Sequence, residues 1–327
     1  MLDEPSSNLD FAAIRDLRAM ILHWKAQGKT VIIAEHRLHY LRGVVDRVCY
    51  LHEGRVSLDM QADAFFALPP AEREAMGLRA LSVDALARQT VARPSDAAAE
   101  PYLLEHFAFA YPQSTQALDI PALPLPAGAI VAVIGLNGAG KSTFARCLCG
   151  LEKRCKGTVC HAGMCQRCLE RAQTCFMVMQ DINHQLFTES VLEEVLLSMK
   201  TENPEEAAQI LTSLDLLPLK DAHPMSLSGG QKQRVAVATA IASQRELIVL
   251  DEPTSGLDYR HMMQVAGLLN RLAEQGKTLI VITHDPELIV ACCSHAITME
   301  GGRAEAPFAL DEAGTARMLG FFGSMGA

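Results

Sequence analysis

No block of lysine and arginine stands out in these 327 residues, and 29 basic against 38 acidic side chains leave a formal charge of −9. That excludes the basic footprint with which a domain tracks a nucleic-acid backbone. Uncharged apolar runs of the roughly 18 residues that a spanning helix needs are missing too. The start carries no basic segment leading into an apolar one, so neither a membrane span nor a secretory leader is expected. A second C-x-x-C is also lacking. Ten cysteines are present, seven of them (Cys147, Cys149, Cys155, Cys160, Cys165, Cys168, Cys175) close together, but only Cys165 and Cys168 have that spacing, with Cys160 and His161 just before them. Structural zinc usually takes two such pairs, so reduced, partly buried thiols in a cytosolic protein are the expectation.

What is there centres on Gly135-Leu136-Asn137-Gly138-Ala139-Gly140-Lys141-Ser142-Thr143, which follows the apolar run Ile130 to Ile134. The pattern G-x-x-x-x-G-K-[ST] between a strand and a helix suits a nucleotide phosphate. Backbone N–H groups of the loop face the phosphate, Lys141 reaches its outer oxygens, and the Ser142 hydroxyl can complete a magnesium shell. A second apolar strand, Leu247 to Leu250, ends in Asp251-Glu252. Asp251 suits the metal shell and Glu252 the polarisation of an attacking water. Tyr111, at the end of the strand Leu103–Ala110, fits adenine stacking or an ordinary rim position equally well. His284, after the run Leu279 to Ile282, suits a γ-phosphate contact or a satisfied structural role.

Part of this machinery occurs twice. Met1-Leu2-Asp3-Glu4-Pro5-Ser6-Ser7-Asn8-Leu9-Asp10 aligns with Leu250-Asp251-Glu252-Pro253-Thr254-Ser255-Gly256-Leu257-Asp258, Leu2 falling on Leu250. The same register carries Thr30–His36 onto Thr278–His284 and Gly54-Arg55 onto Gly302-Arg303. An ungapped match of this length marks an internal repeat of one domain type.

Periodicity predicts a helix over Phe11–Gln27 ending at Gly28, a buried strand at Val31–Ala34, a helix over His36–Val44, and short strands at Val48–Leu51 and Arg55–Leu58. Ala64–Leu86 reads as helical after Pro69-Pro70. In the second half, helices are expected at Ser142–Leu151, Thr188–Met199 and from Pro204, with a strand at Ala172–Met179. The domain reading is residues 1–68 as the later part of a first repeat, 69–101 as linker, 102–307 as a complete domain and 308–327 as a tail.

Leu227-Ser228-Gly229-Gly230-Gln231 opens an apolar-striped segment and resembles another anion-binding helix N-terminus. With this LSGGQ, the sequence resembles the ATP-binding cassette family from Tyr102 to about Arg303. The resemblance implies an α/β P-loop NTPase fold: a RecA-like core, an antiparallel β subdomain and a helical signature subdomain. It makes Gly135, Asn137, Gly138, Ala139, Gly140, Lys141, Ser142 and Thr143 the Walker A contacts for ATP, with Tyr111 on the adenine. Gln180 corresponds to the Q-loop glutamine, Asp251 and Glu252 to the Walker B acids, Asp258 to the D-loop and His284 to the switch histidine. Magnesium would be held by Ser142, Gln180 and Asp251, and catalysis would fall to Glu252, His284 and Gln180. Ser228, Gly229, Gly230 and Gln231 would close over a nucleotide held by another cassette, because such domains pair head to tail.

Met179-Gln180-Asp181-Ile182-Asn183-His184-Gln185-Leu186-Phe187, followed by Ser190–Val195, is similar to the corresponding stretch of energy-coupling factor transporter ATPases, some of which fuse two cassettes. Asp181-Ile182 departs from the usual proline-containing pair. The implied role is ATP-driven uptake of a vitamin or transition-metal ion, at the cytoplasmic membrane face, with integral membrane subunits docking near Gln180–Met199. A soluble non-transport cassette protein, or an ATP-binding module with little hydrolysis, is the alternative. On this resemblance the chain looks like a tandem protein cut just before its first Walker B acids. Asp3, Glu4, Asp10 and His36 are then expected to have no phosphate loop beside them, and residues 1–68 to expose a sheet edge and be marginally stable alone. Hydrolysis is expected to need a second cassette, such as another copy of this chain.

Overall fold

A computed structural model describes residues 1–7, 9–83, 86, 99–112 and 116–324. The expected linker lies partly outside these residues.

The apolar runs noted above become the strands of one central sheet. In chain order the N-terminal segment forms β1 (Leu2–Asp3), α1 (Phe11–Ala26), β2 (Ile33–Ala34), β3 (Arg47–His52), β4 (Arg55–Gln61), α2 (Ala62–Phe66) and α3 (Pro70–Ala75). Then come β5 (Tyr102–Ala110), β6 (Gln116–Leu125), β7 (Ile130–Ile134), α4 (Lys141–Leu148), β8 (Lys156–His161), β9 (Met164–Gln166), α5 (Cys168–Thr174) and β10 (Cys175–Val178). The helices α6 (Val191–Ser198), α7 (Pro204–Ser213) and α8 (Gly229–Ala242) follow, then β11 (Leu247–Asp251), α9 (Tyr259–Glu274), β12 (Thr278–Ile282), α10 (Pro286–Cys292), β13 (His295–Glu300), β14 (Arg303–Ala304), β15 (Phe308–Ala309) and α11 (Glu312–Ser324).

The central sheet runs β10-β11-β12-β7-β13, parallel throughout, with β14 and β15 added antiparallel to β13. Every residue of β7, β11 and β12 is buried, as continuous apolar strands covered on both faces must be. Alternation divides them between two cores. Ile130, Ala132 and Ile134 face the helices, whereas Val131 and Val133 face the antiparallel sheet β6-β5-β8-β9. The helices α6, α7 and α8 pack together as a third part. These are the RecA-like core, antiparallel subdomain and helical subdomain that the resemblance implies. No helix among the described residues is long and apolar enough to cross a membrane.

The repeat is visible in the backbone. α1 and α9 span 16 residues each, capped by Asp10 and Asp258, whose carboxylates accept from Ala13 and His261 N–H at 2.8 Å. Glu4 and Glu252 both have positive φ, at 43° and 53°, and so do Gly28 and Gly276 at the ends of the two helices. The match is interrupted after the histidines and resumes at the hairpins, where β3 and β13, and then β4 and β14, begin at equivalent residues. In the second copy Asp285 caps α10 through Glu287 and Leu288 N–H, and Pro286 stands at its first position. Arg37 and Leu38 occupy those places in the first copy, so the helix expected over His36–Val44 is only a 3₁₀ turn at His39–Leu41. The strand expected at Val31–Ala34 shortens to Ile33–Ala34, paired with β1 alone, and Ile32 is 61% exposed rather than buried.

The stretches read as a linker and as a tail both make packing contacts. Arg79 is buried against the second half, and α11 packs Phe322 on Phe11 with ring centroids 4.8 Å apart. The thiol expectation fails in one place. β8 and β9 bring Cys160 opposite Cys165, and the two form a disulfide. Cys168 is no partner of Cys165; its thiol donates to the Gly150 and Glu152 carbonyls. The remaining clustered cysteines are free and buried, and no group of metal-ligating side chains is found among the described residues.

Candidate nucleotide site

The loop between β7 and α4 leaves the sheet at Gly135, where a Cβ would lie 2.4 Å from the Met299 carbonyl oxygen, so no larger residue fits without moving β13. Gly138 and Gly140 take φ of 82° and 98°, the left-handed region that turns the loop back onto the helix. Lys141 is buried, and its ammonium donates to the Gly135 and Leu136 carbonyls at 2.8 and 2.9 Å. Burial lowers its pKa, with Glu252, Asp251 and Asp10 opposing. A buried cation held by its own loop is poised for an anion.

Around this loop lies a cavity of about 710 Å³ lined by Tyr111, Asn137, Gly138, Gly140, Lys141, Ser142, Thr143, Gln180, Asp251, Glu252 and His284. The structure thus brings together most of the residues singled out by sequence, from the segments that follow β5, β7, β10, β11 and β12 and the ends of those strands. Ala139 is buried in the loop and Tyr111 Oη lies 3.1 Å from Thr143 Oγ1. Asp251 and Ser142 both line this cavity, which offers two hard oxygen donors and fits a magnesium ion. Burial raises the Asp251 pKa, with Ser142 and Lys141 opposing.

Glu252 is the more strongly perturbed acid. Burial pushes its pKa up to about 7, with Asp251 and Asp285 adding to the rise and Arg37 and Lys141 opposing it. Its carboxylate accepts the His284 backbone N–H at 3.1 Å and the Thr283 hydroxyl at 3.3 Å. His284 Nε2 stands 3.9 Å from Glu252 Oε1. Burial, then Lys141 and Arg37, lowers the His284 pKa to about 3, so its ring is neutral and can donate one N–H.

Ser228, Gly229, Gly230, Gln231 and Asp258 lie elsewhere. They line a second cavity, of about 910 Å³, together with Asp3, Glu4, Ser7 and His36, and Gln180 borders both. Ser228 caps α8 in a reciprocal pair with Gln231, at 3.3 and 2.9 Å. His36 Nε2 is 3.2 Å from Glu4 Oε1, the counterpart of His284 and Glu252. One expectation is corrected: Asp10 does have a phosphate loop beside it. Asn137 N–H donates to Asp10 Oδ2 at 2.8 Å, across the contact between the N-terminal segment and the second half. Burial works against the Asp10 carboxylate, but the Ala13 and Asn137 N–H groups outweigh it and lower its pKa. At the same contact Ser255 Oγ donates to the Ser7 carbonyl at 3.2 Å. Ser7 and Ser255 are repeat equivalents, so the two copies meet through matching residues.

A family model described as "ABC transporter" matches residues 118–255. A Treponema denticola protein named as an ABC transporter ATP-binding protein is 40% identical over 307 residues, which is 93% of this chain and 63% of that protein. The chain belongs to the ATP-binding cassette family. A Methanosarcina acetivorans protein of the same description is 31% identical over 93% of this chain and 58% of its own length. The chain therefore spans less than two thirds of these curated relatives. Among solved structures, the cassette cbiO1 from Clostridium perfringens, part of the transporter complex cbiONQ, aligns with TM-score 0.54 and 27% identity over 68% of this chain and 95% of that one. An archaeal ribosome recycling factor, in complex with a ribosomal stalk protein, shares the fold over 98% of this chain and 62% of its own, with TM-score 0.68 and 24% identity.

Arg79 escaped the sequence reading. It sits in an alanine- and charge-rich stretch without a motif, and nothing in its sequence neighbourhood marks it.

Proposed function

We propose that this cassette chain binds ATP with magnesium in the phosphate-loop cavity and hydrolyses it once the signature segment of a second cassette closes over that cavity. The observation that carries the reading is the convergence of Lys141, Ser142, Gln180, Asp251, Glu252 and His284 on one cavity. Ser142, Asp251 and Gln180 would hold magnesium, which when bound neutralises charge between phosphate oxygens. Lys141 binds the outer phosphate oxygens, Glu252 takes a proton from the attacking water at its carboxylate, and neutral His284 donates to the terminal phosphate. Tyr111 stacks on the base.

The finer reading is the energising subunit of an uptake transporter of the energy-coupling factor type, peripheral at the cytoplasmic membrane face. The stretch from Met179 to Val195 and the likeness to cbiO1 support it. Phe187 is 74% exposed and Leu197 57%, which suits docking of an apolar membrane subunit near Gln180–Met199. The acidic balance speaks against a nucleic-acid partner.

ATP binding and phosphate release, measured separately over a range of protein concentrations, test the proposal. Lys141→Met should weaken ATP binding roughly ten- to a hundredfold, as loss of charge-assisted hydrogen bonds implies. Glu252→Gln with saturating ATP should give a dimeric mass; a strictly monomeric protein would exclude closure by a second copy. A second reading, an ATP-binding module with little turnover, is favoured by the division of parts: the phosphate loop lines one cavity and Ser228–Gln231 the other. Binding without phosphate release at every concentration would select it.

A further inference from the structure

Arg79 lies in the segment that joins the two repeats, yet its guanidinium is buried in the second one, with 4% of the side chain exposed. Its Nε and Nη2 donate to the Leu257 carbonyl at 3.2 and 2.9 Å, and its Nη1 donates to Asp285 Oδ2 at 2.7 Å. Glu287 Oε2 stands 3.5 Å away, and the neighbouring Ala80 N–H donates to Glu287 Oε1 at 2.7 Å. The two loops so joined are those that matter to the nucleotide. Leu257 belongs to the loop Ser255–Asp258, whose Ser255 touches Ser7 of the other repeat. Asp285 follows His284, whose N–H is bonded to Glu252, and Asp285 Oδ2 also accepts from Thr254 Oγ1 at 3.1 Å. A planar fork can hold a carbonyl and a carboxylate at once in fixed relation, which a single ammonium cannot do.

We propose that Arg79 is a positioning residue that clamps the Ser255–Asp258 loop to the His284 loop, so that contact with the opposing repeat and the placement of Glu252 and His284 change together. It does not line the phosphate-loop cavity and acts through Leu257 and Asp285. The inference rests on the hydrolytic reading above, but one arm of its test does not.

The experiment uses the full chain with Arg79→Lys and Arg79→Met. Lysine keeps a charge beside Asp285 and Glu287, so this variant folds even where methionine leaves a buried carboxylate unpaired. In the first arm, Arg79→Lys lowers kcat for ATP roughly 10- to 100-fold, as displacement of reacting groups by about an ångström implies, with KM and ATP affinity within about threefold of wild type. A kcat within about twofold of wild type, or a loss carried by KM alone, overturns the clamp. In the second arm, backbone hydrogen exchange without nucleotide rises in parallel in residues 252–258 and 282–288 while residues 130–148 stay unchanged. A rise in one loop only, or in neither, overturns it. A wild-type chain that binds ATP without hydrolysing it would refute the hydrolytic reading alone, and the exchange arm would still decide for or against Arg79.

Discussion

Replacing Asp10 by alanine removes one carboxylate with two attachments. One oxygen caps α1 through Ala13 N–H and the other receives Asn137 N–H from the phosphate loop, both at 2.8 Å. Losing the cap costs about 1 kcal/mol. Losing a hydrogen bond to a buried charged acceptor costs about 1.5–3 kcal/mol. Asp10 is only 6% exposed, so water replaces little of either. Local opening of α1 should then become easier by about 1 kcal/mol, roughly fivefold in exchange rate, and that of residues 135–141 by about 1.5–3 kcal/mol, roughly 10- to 100-fold. Hydrogen exchange read by mass spectrometry reports both segments in one sample. Asp258→Ala is the control, since the equivalent carboxylate caps α9 by way of His261 and should loosen that helix while leaving residues 135–141 as they were. If Asp10→Ala loosens α1 and leaves the phosphate loop untouched, the contact through Asn137 carries no weight and the docking described here is wrong.

Hydrolysis should depend on pH through Glu252. Burial, with Asp251 and Asp285, pushes its pKa up to about 7, and a general base must be ionised, so the rate should fall as pH drops below about 7 and level off above it. A flat profile between about pH 6 and 8 would refute this role, subject to no change in ATP saturation. Reducing the protein should raise its titratable thiols from eight to ten as Cys160 and Cys165 open. The loop they close is short, so the accompanying loss of stability should be only about 2 kcal/mol by thermal unfolding.

The parts legible in the sequence were those set by local chemistry. A phosphate loop needs glycines at fixed places, a buried parallel strand needs an unbroken apolar run, and both are written in consecutive residues from Ile130 to Thr143. The repeat register, also read from consecutive residues, carried through to helix ends and positive φ values. What failed was decided at a distance. His36–Val44 had helical spacing, but Arg37 and Leu38 stand where Asp285 and Pro286 start the second copy's helix. Cys160 and Cys165 became partners through the β8–β9 register, which spacing alone did not reveal against the more obvious Cys165–Cys168. The contact of Asp10 with Asn137, and the clamp at Arg79, join residues more than a hundred positions apart and leave no periodic trace.

The meeting of Ser7 with Ser255 has a consequence for how such a sequence can change. Two copies of a duplicated segment are ordinarily free to drift apart, each under its own demands. Here each copy is part of the other's surroundings, so a bulkier residue at either serine would be felt in both copies and in the cavity that the two serines share. The two positions form one heritable unit, and grafting a loop from one copy into a foreign cassette should succeed only when its counterpart travels with it.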